Sequence, residues 1–191
     1  MLSRQIMNND YWKQFYKNKH TLRPSSFAKF VRKFIHLKGL SVVDLGCGNG
    51  RDSYYLGKDW RVVGIDNAVQ PMNIGEKISF IQMDIDKYIF NVPIIHDLVY
   101  ARFLIHSIDD QLLENILKFG ASLIAVEYRS YKDDKSQWVY KDHERKLRTN
   151  QGLINLLWEN GYELVYFIEA KGLAKYKKED PLVVRIIAKK I

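Results

Sequence analysis

Short apolar runs recur along the chain and are separated by polar or amphipathic segments. The runs lie at residues 41–45, 61–65, 78–83, 97–101, 122–127, 162–168 and 182–188. Each has the length of a strand, and few polar residues interrupt them, which is typical of strands that are buried on both faces of a sheet. The pattern therefore predicts seven strands.

Helical periodicity occurs before the first of these runs and between several of them. The predicted helices cover residues 8–19, 25–37, about 51–58, 109–119 and 149–160. Ser25 or Ser26 can cap the second helix through its hydroxyl group. Gly161 follows the last helix, at a position where glycine commonly ends one.

The alternation of strands and helices predicts an α/β fold, with a largely parallel sheet that is covered by helices on both faces. The last two strands are joined by residues 172–181, which show no clear helix. These two strands can therefore pair antiparallel at one end of the sheet.

Composition and length predict a single domain, with at most a small lid. The chain has 191 residues, of which 47% are hydrophobic, too many for a disordered protein. Its one cysteine, Cys47, excludes an internal disulfide. Neither a signal peptide nor an apolar stretch long enough to cross a bilayer is evident. We therefore expect a soluble, cytoplasmic protein, with its oligomeric state left open.

The positive charge is concentrated at the start of the chain. Residues 1–40 hold nine Lys or Arg residues and a single acid, Asp10, which accounts for the whole net charge of +8. Residues 41–191 hold 21 basic and 21 acidic residues and are neutral. A basic segment on a neutral body favours an anionic partner, although a solvated helical face explains it equally well.

A glycine-rich loop follows the first predicted strand. Gly46, Gly48 and Gly50 alternate between this strand and a predicted helix, and Asp44 precedes them. The next strand ends at Asp66, where a carboxylate can accept hydrogen bonds from both hydroxyls of a ribose. This combination is typical of a nucleotide-binding crevice.

Two kinds of nucleotide site compete at this loop. A dinucleotide fold uses G-x-G-x-x-G to hold a pyrophosphate at the start of a helix. Here the spacing is G-x-G-x-G, and Asp44 would repel a pyrophosphate. An acid at that position suits a ligand that carries an ammonium or a sulfonium group.

Four segments, taken in order, resemble the motifs of class I S-adenosylmethionine-dependent methyltransferases. Residues 44–50 resemble the first motif, 64–66 the second and 83–85 the third, and 97–102 stand where the fourth motif is expected. The resemblance covers roughly residues 40–190. It implies a Rossmann-like sheet of seven strands with the last strand antiparallel, S-adenosyl-L-methionine as the cofactor, and no metal.

The resemblance implies a cofactor site across the ends of the first strands. Its candidate residues are Tyr16, Arg23, Asp44, Gly46, Cys47, Gly48, Asn49, Gly50, Arg51, Asp66, Asn67, Asp84, Ile85 and Ala101. Within it, Asp44 and residues 46–50 receive the methionine part of the cofactor. Asp66 receives the ribose, and Asp84 with Ile85 receives the adenine.

The chain divides into a basic helical segment, 1–39, and a methyltransferase domain, 40–191, with an insert at 129–148. The first segment is a candidate lid over the cofactor, to which Tyr16 and Arg23 would contribute.

Simpler structural roles remain open for several residues. Trp12 and Phe15 suit a helix that packs on the sheet. Asp66 and Asp84 can be turn residues at strand ends, and Cys47 a small packing residue.

The methyl acceptor is expected to contact residues that follow the fourth and fifth strands. The catalytic candidates are His106, Glu127 and Arg129, and the substrate-binding candidates are Arg102, His143, Arg145 and Arg148. His106 or Glu127 would be the base if one is needed. A phosphate or carboxylate acceptor is already anionic, and it needs cationic groups instead of a base. A solvated charged loop and a structural histidine are the alternatives.

Segments 102–106, 127–130, 143–148 and 172–185 also resemble a narrower bacterial group, the methyltransferases of capsule and O-antigen polysaccharide synthesis. This resemblance implies an oxygen acceptor on a phosphate, phosphoramidate or carboxylate group of a small molecule or glycan end. Lys146 stands where a second arginine is expected. The alternatives are an RNA methyltransferase recruited by the basic N-terminal segment, and a subunit that binds the cofactor and activates another methyltransferase.

Overall fold

The structure is a computed structural model of the chain, and it describes residues 12–13, 22–68, 71–92, 96–135, 138 and 145–191. Most of the predicted helix 8–19 lies outside these residues, as do the candidate site residues Tyr16 and His143.

Strands and helices alternate along the described chain. The strands are β1 (Ser41–Leu45), β2 (Arg61–Asp66), β3 (Ile78–Gln82), β4 (Leu98–Arg102), β5 (Leu123–Arg129), β6 (Tyr162–Ala170) and β7 (Val183–Lys190). The helices are α1 (Ser26–Phe34), α2 (Arg51–Leu56), α3 (Ile85–Asn91), α4 (Asp110–Lys118) and α5 (Asn150–Glu159), with a 3₁₀ turn at Ile105–Ser107. None of the helices in this part of the chain is long and apolar enough to cross a membrane.

All seven strands belong to one sheet in the order β3-β2-β1-β4-β5-β7-β6. β7 runs antiparallel to both of its neighbours, β5 and β6, and the other six strands are parallel. The predicted α/β fold with an antiparallel last strand is thereby confirmed. Strand order reverses between β1 and β4, so the loops that follow these two strands diverge and leave a crevice at their carboxyl ends.

The predicted strands agree with the observed strands to within two residues at each end, and β1 agrees at both ends. Ser25, rather than Ser26, caps α1, since its hydroxyl accepts the backbone N–H of Ala28 at 3.0 Å. Helix α3 was not predicted. It has only seven residues, and it lacks a preceding glycine loop such as the one that indicated the six-residue α2.

Helices cover both faces of the sheet because successive strand residues point to opposite sides. On one face, Val43 of β1 packs with buried residues of α4 and α5. On the other face, Val42 packs with Phe27 of α1 and Leu56 of α2. Phe27 is fully buried, with its ring centroid 5.1 Å from that of Tyr100. Helix α1, which lies within the predicted lid segment, is therefore part of the core.

Candidate functional site

The glycine loop between β1 and α2 follows a tight path at the crevice. Gly46, Gly48 and Gly50 have φ values of +69°, +55° and +74°, which glycine adopts without the steric cost other residues meet. The N–H of Gly46 donates to the carbonyl of Ile65 at 2.8 Å. A Cβ atom on Gly46 would lie 3.2 Å from the side chain of Leu104. The loop is thus held between the ends of β2 and β4.

Gly50 and Gly64 make room for one aromatic ring. A Cβ atom on Gly50 would lie 2.7 Å from Cζ of Phe80, and one on Gly64 would lie 2.5 Å from its Cδ1. The ring also packs edge-on against Tyr54, with centroids 5.2 Å apart. Gly50, predicted as a cofactor residue, therefore has a packing role as well.

Asp66 at the end of β2 is fixed by two backbone N–H groups. Its Oδ2 accepts from Gly48 at 2.9 Å, and its Oδ1 accepts from Ala68 at 2.8 Å. The carboxylate is half-buried at the crevice. The acid expected to bind a ribose is thus tied directly to the glycine loop.

The adenine candidates lie next to it. Asn67 Nδ2 donates to Oδ1 of Asp84 at 3.1 Å. Asp84 is the residue before α3, and Ile85 begins that helix. The structure therefore brings Asp66, Asn67, Asp84 and Ile85 together at the carboxyl ends of β2 and β3.

Asp44 is a buried acid behind the glycine loop. Its Oδ2 accepts the hydroxyl of Ser53 at 2.5 Å, and its residue surface is 2% exposed. Burial raises the pKa of Asp44 to about 8, and the negative charges of Asp52 and Asp66 contribute to the rise. A cation brought beside Asp44 would favour its ionised form.

The remaining cofactor candidates have varied environments. Cys47 is buried, and burial with the charges of Asp44 and Asp66 raises the pKa of its thiol. A thiol in that state suits packing better than nucleophilic attack. Arg51 begins α2 with its Nε 3.9 Å from Asp52.

Three further candidates differ in exposure. Ala101 is fully buried on β4, and Asn49 is half-buried in the glycine loop. Arg23 is exposed just before α1. The structure thus places Asn49 in the glycine loop, Ala101 within β4 near its carboxyl end, and Arg23 on the surface.

Glu127, a candidate base, is fully buried between two arginines. Arg102 Nε donates to its Oε1 at 2.8 Å, and Arg185 Nε donates to its Oε2 at 2.7 Å. Arg185 was not among the predicted site residues. Its sequence signal is a single arginine within the apolar β7, since a buried charge of this kind needs a partner.

Arg129 is buried within the protein. It pairs with Asp133 at 2.6 Å and with Glu179 at 2.8 Å. Its guanidinium carbon lies 5.1 Å from the ring centroid of Trp138, and the indole N–H of Trp138 donates to Asp133. These contacts make Arg129 an anchor between the insert and the β6–β7 loop.

His106, the other candidate base, is buried on the 3₁₀ turn. Its Nδ1 accepts the backbone N–H of Arg129 at 3.4 Å. An accepting Nδ1 carries no proton, so the neutral ring carries its proton on Nε2.

Arg148 and Arg145 belong to the insert. The Nε of Arg148 donates to Asp110 at 3.0 Å and its Nη2 to the carbonyl of Ile108 at 2.8 Å, while Nη1 donates to the carbonyl of Ile105. Arg148 therefore attaches the insert to the start of α4. Arg145 lies over the ring of Trp138, with its guanidinium carbon 4.3 Å from the centroid. Of these two arginines predicted to bind the acceptor, Arg148 is thus held by hydrogen bonds and Arg145 lies over an aromatic ring.

Neither a protein-family model nor a sequence among the curated proteins matches the chain. Solved structures do match. One is 1,6-didemethyltoxoflavin-N1-methyltransferase of Burkholderia thailandensis with bound 1,6-didemethyltoxoflavin and S-adenosylhomocysteine, at a TM-score of 0.69 and 15% identity, covering 98% of this chain and 86% of that one.

Two further solved structures, both of methyltransferases, are also similar to the chain. An S-adenosylmethionine-dependent methyltransferase of Mesorhizobium loti has a TM-score of 0.66 and 16% identity, over 89% of this chain and 100% of that one. Magnesium protoporphyrin IX methyltransferase of Synechocystis with bound S-adenosylmethionine has a TM-score of 0.62 and 15% identity, over 94% and 79%. The chain therefore has the Rossmann-like methyltransferase fold.

Proposed function

We propose that the chain is an S-adenosylmethionine-dependent methyltransferase that modifies an oxygen of an anionic acceptor. One observation carries the proposal. The carboxylate of Asp66 is bonded to the N–H of Gly48 at the crevice where the strand order reverses. Similar folds crystallised with S-adenosylmethionine or S-adenosylhomocysteine support this choice of cofactor.

The residues at the crevice fit the chemistry of this cofactor. Asp66 offers two fixed oxygens to ribose hydroxyls, and Asp84 offers a carboxylate to an adenine amino group. Asp44 suits the ammonium of the methionine part, since a cation there lowers the cost of ionising a buried acid. When bound, S-adenosyl-L-methionine supplies a methyl group that is activated on a sulfonium sulfur.

An anionic acceptor follows from the state of the two candidate bases. Both oxygens of Glu127 accept from arginines, and Nδ1 of His106 accepts a backbone N–H. These acceptor atoms are therefore already engaged by donors of the protein itself. An acceptor that arrives as an anion needs no base, and Arg102 at the end of β4 supplies the positive charge to hold it.

The sequence resemblance supports a phosphate, phosphoramidate or carboxylate group on a small molecule or glycan end, in bacterial surface polysaccharide synthesis. The neighbours whose substrates are named methylate other small molecules. We therefore define the proposed acceptor by its negative charge.

Two measurements test the proposal. Titration calorimetry of the full chain with S-adenosylmethionine is expected to give saturable binding. Incubation with methyl-labelled S-adenosylmethionine and a panel of sugar phosphates, uronic acids, neutral sugars and RNA is expected to label the sugar phosphates or uronic acids. Labelling of neutral sugars alone would contradict an anionic acceptor. Labelling of RNA, with binding that weakens steeply as salt rises, would favour the RNA methyltransferase instead.

A further inference from the structure

Arg102, Glu127 and Arg185 form a row across three adjacent strands, which we call the Arg–Glu–Arg triad. Arg102 of β4 is in register with Glu127 of β5, and Glu127 is in register with Arg185 of β7. Residues that are directly opposite on neighbouring strands project from the same face of the sheet. The side chains therefore meet by strand pairing, and the carboxylate lies between the two guanidinium groups.

The two arginines of the triad differ in their remaining contacts. Arg185 donates from Nη2 to the hydroxyl of Ser26 at 2.7 Å and to the carbonyl of Leu173 at 2.9 Å. Its guanidinium also faces the rings of Phe27 and Phe30, at 5.4 and 5.6 Å. Its side chain is 6% exposed. Arg185 is thus held within the core.

Arg102 uses only its Nε within the described residues. This nitrogen bonds Glu127, and the guanidinium lies over the ring of Phe103, with its carbon 4.4 Å from the centroid. The two Nη groups form no hydrogen bond in the part of the chain that the structure describes, and the side chain is 17% exposed. Arg102 therefore has a two-donor fork left for an outside group.

Charge favours an anion at this fork. The three members of the Arg–Glu–Arg triad together carry one net positive charge, and the nearby carboxylate of Asp52 is balanced by Arg51, whose Nε lies 3.9 Å from it. Burial lowers the pKa of Arg102, but the nearby carboxylates of Glu127 and Asp52 raise it by more. The net effect is a raised pKa, so Arg102 stays positively charged. Two parallel N–H donors match two oxygens of a phosphate or a carboxylate.

We propose that Arg185 is a positioning residue that acts on Arg102. By bonding Glu127, it keeps both Nη groups of Arg102 available to an anionic group of the acceptor at the end of β4. The inference rests on the proposed function and adds to it the residue that sets acceptor affinity. Glu127 in this arrangement is the link between the two arginines.

The contacts that would form in the absence of Arg185 explain why it is needed. Without it, Oε2 of Glu127 would be a buried carboxylate oxygen with no donor, which is costly. The nearest cation that can satisfy it is Arg102, by turning an Nη group toward Glu127 in a bidentate pair. That pairing would withdraw one arm of the fork from the acceptor.

The test compares Arg185→Met and Arg185→Lys with Arg61→Met, which alters an exposed arginine on β2. Each protein is saturated with S-adenosylhomocysteine and titrated with inorganic phosphate, or with acetate as the carboxylate probe. The nitrogen-15 signal of the Arg102 Nε–H group reports binding, and its absence in Arg102→Lys assigns it. Calorimetry with S-adenosylhomocysteine is run on every variant.

We expect phosphate to shift the Arg102 signal saturably in the wild type and in Arg61→Met. In Arg185→Met the affinity for phosphate should fall about tenfold, since one charge-assisted hydrogen bond is lost. The phosphate affinity of Arg185→Lys should lie between those of the wild type and Arg185→Met, because lysine restores the positive charge without the planar guanidinium group. Affinity for S-adenosylhomocysteine should stay within about twofold in all four proteins, because the triad lies outside the cofactor residues.

Contrary results separate the two proposals. Unchanged phosphate affinity in Arg185→Met, or a wild-type Arg102 signal that phosphate does not move, would overturn the positioning role. Failure of the wild type to bind S-adenosylhomocysteine would instead overturn the proposed function. If Arg185→Met does not fold, Arg185→Lys provides the same comparison, with a smaller expected change.

Discussion

The Oδ2 atom of Asp66 lies 2.9 Å from the backbone nitrogen of Gly48, so that the end of β2 and the centre of the glycine loop form one unit. This hydrogen bond couples the position of the loop to that of the carboxylate. A ligand that uses both the loop and the carboxylate therefore meets a site that is organised before it binds, which lowers the ordering cost of binding.

Asp66→Asn should weaken cofactor binding about tenfold or more. The substitution replaces one accepting oxygen with an NH₂ group, which cannot accept the hydrogen bond from Gly48. The side chain then offers the ribose hydroxyls one accepting oxygen instead of two. Calorimetry with S-adenosylhomocysteine measures the change. Glu163→Gln, which alters an exposed acid on β6, is the matched control and should bind normally. Unchanged affinity in Asp66→Asn would remove Asp66 from the ribose site.

The stability of the cofactor-free chain should fall with rising pH because of Asp44. Its pKa is raised by burial from 3.8 to about 8, so the folded state holds a proton that the unfolded state has lost. The stabilising contribution is complete below pH 3.8 and declines up to about pH 8.

Asp44→Asn removes this titration. Its melting temperature should change less than that of the wild type between pH 5 and 8 and should be higher by about 5 °C at pH 8. Thermal melts followed by circular dichroism, with Glu163→Gln as the control, measure both. Parallel pH profiles for Asp44→Asn and the wild type would contradict the raised pKa.

Gly64→Ala should destabilise the fold by about 1–3 kcal/mol, because its Cβ atom would lie 2.5 Å from Phe80 and 3.0 Å from the sulfur of Cys47. Phe80→Leu should cost stability when made alone, yet restore part of the loss in the double variant, since the smaller side chain makes room for the methyl group. A double-mutant cycle by urea denaturation measures this coupling. Additive losses would show that the ring does not constrain Gly64.

Asp52→Ala should destabilise the chain by about 3–5 kcal/mol. This carboxylate, 5% exposed, accepts the backbone N–H and the hydroxyl of Ser25 and the hydroxyl of Tyr100, at 2.7 to 2.8 Å. Its loss leaves buried donors without a partner. Urea denaturation measures the change, and Asp86→Ala, on the first turn of α3, is the comparison variant and should cost much less. Equal losses would contradict the anchoring role of Asp52.

The strands, the glycine loop and the acids beside it were all predictable from the amino-acid sequence. These features depend on neighbours close along the chain: apolar runs become buried strands, alternating glycines permit positive φ, and Asp66 follows its strand directly. Helix α3 was missed because seven residues show little periodicity and no glycine loop precedes it, whereas the six-residue α2 follows such a loop.

The use of each charged side chain near the proposed acceptor site depends on the tertiary structure. Glu127 looked like a base in the sequence, and strand pairing places Arg102 on one side of it and Arg185, 58 residues later, on the other. Arg148 looked like an anion ligand, and its donors meet Asp110 and two carbonyls near the start of α4. The side chain type determines which hydrogen bonds are possible, but strand register and packing determine which partners are within reach.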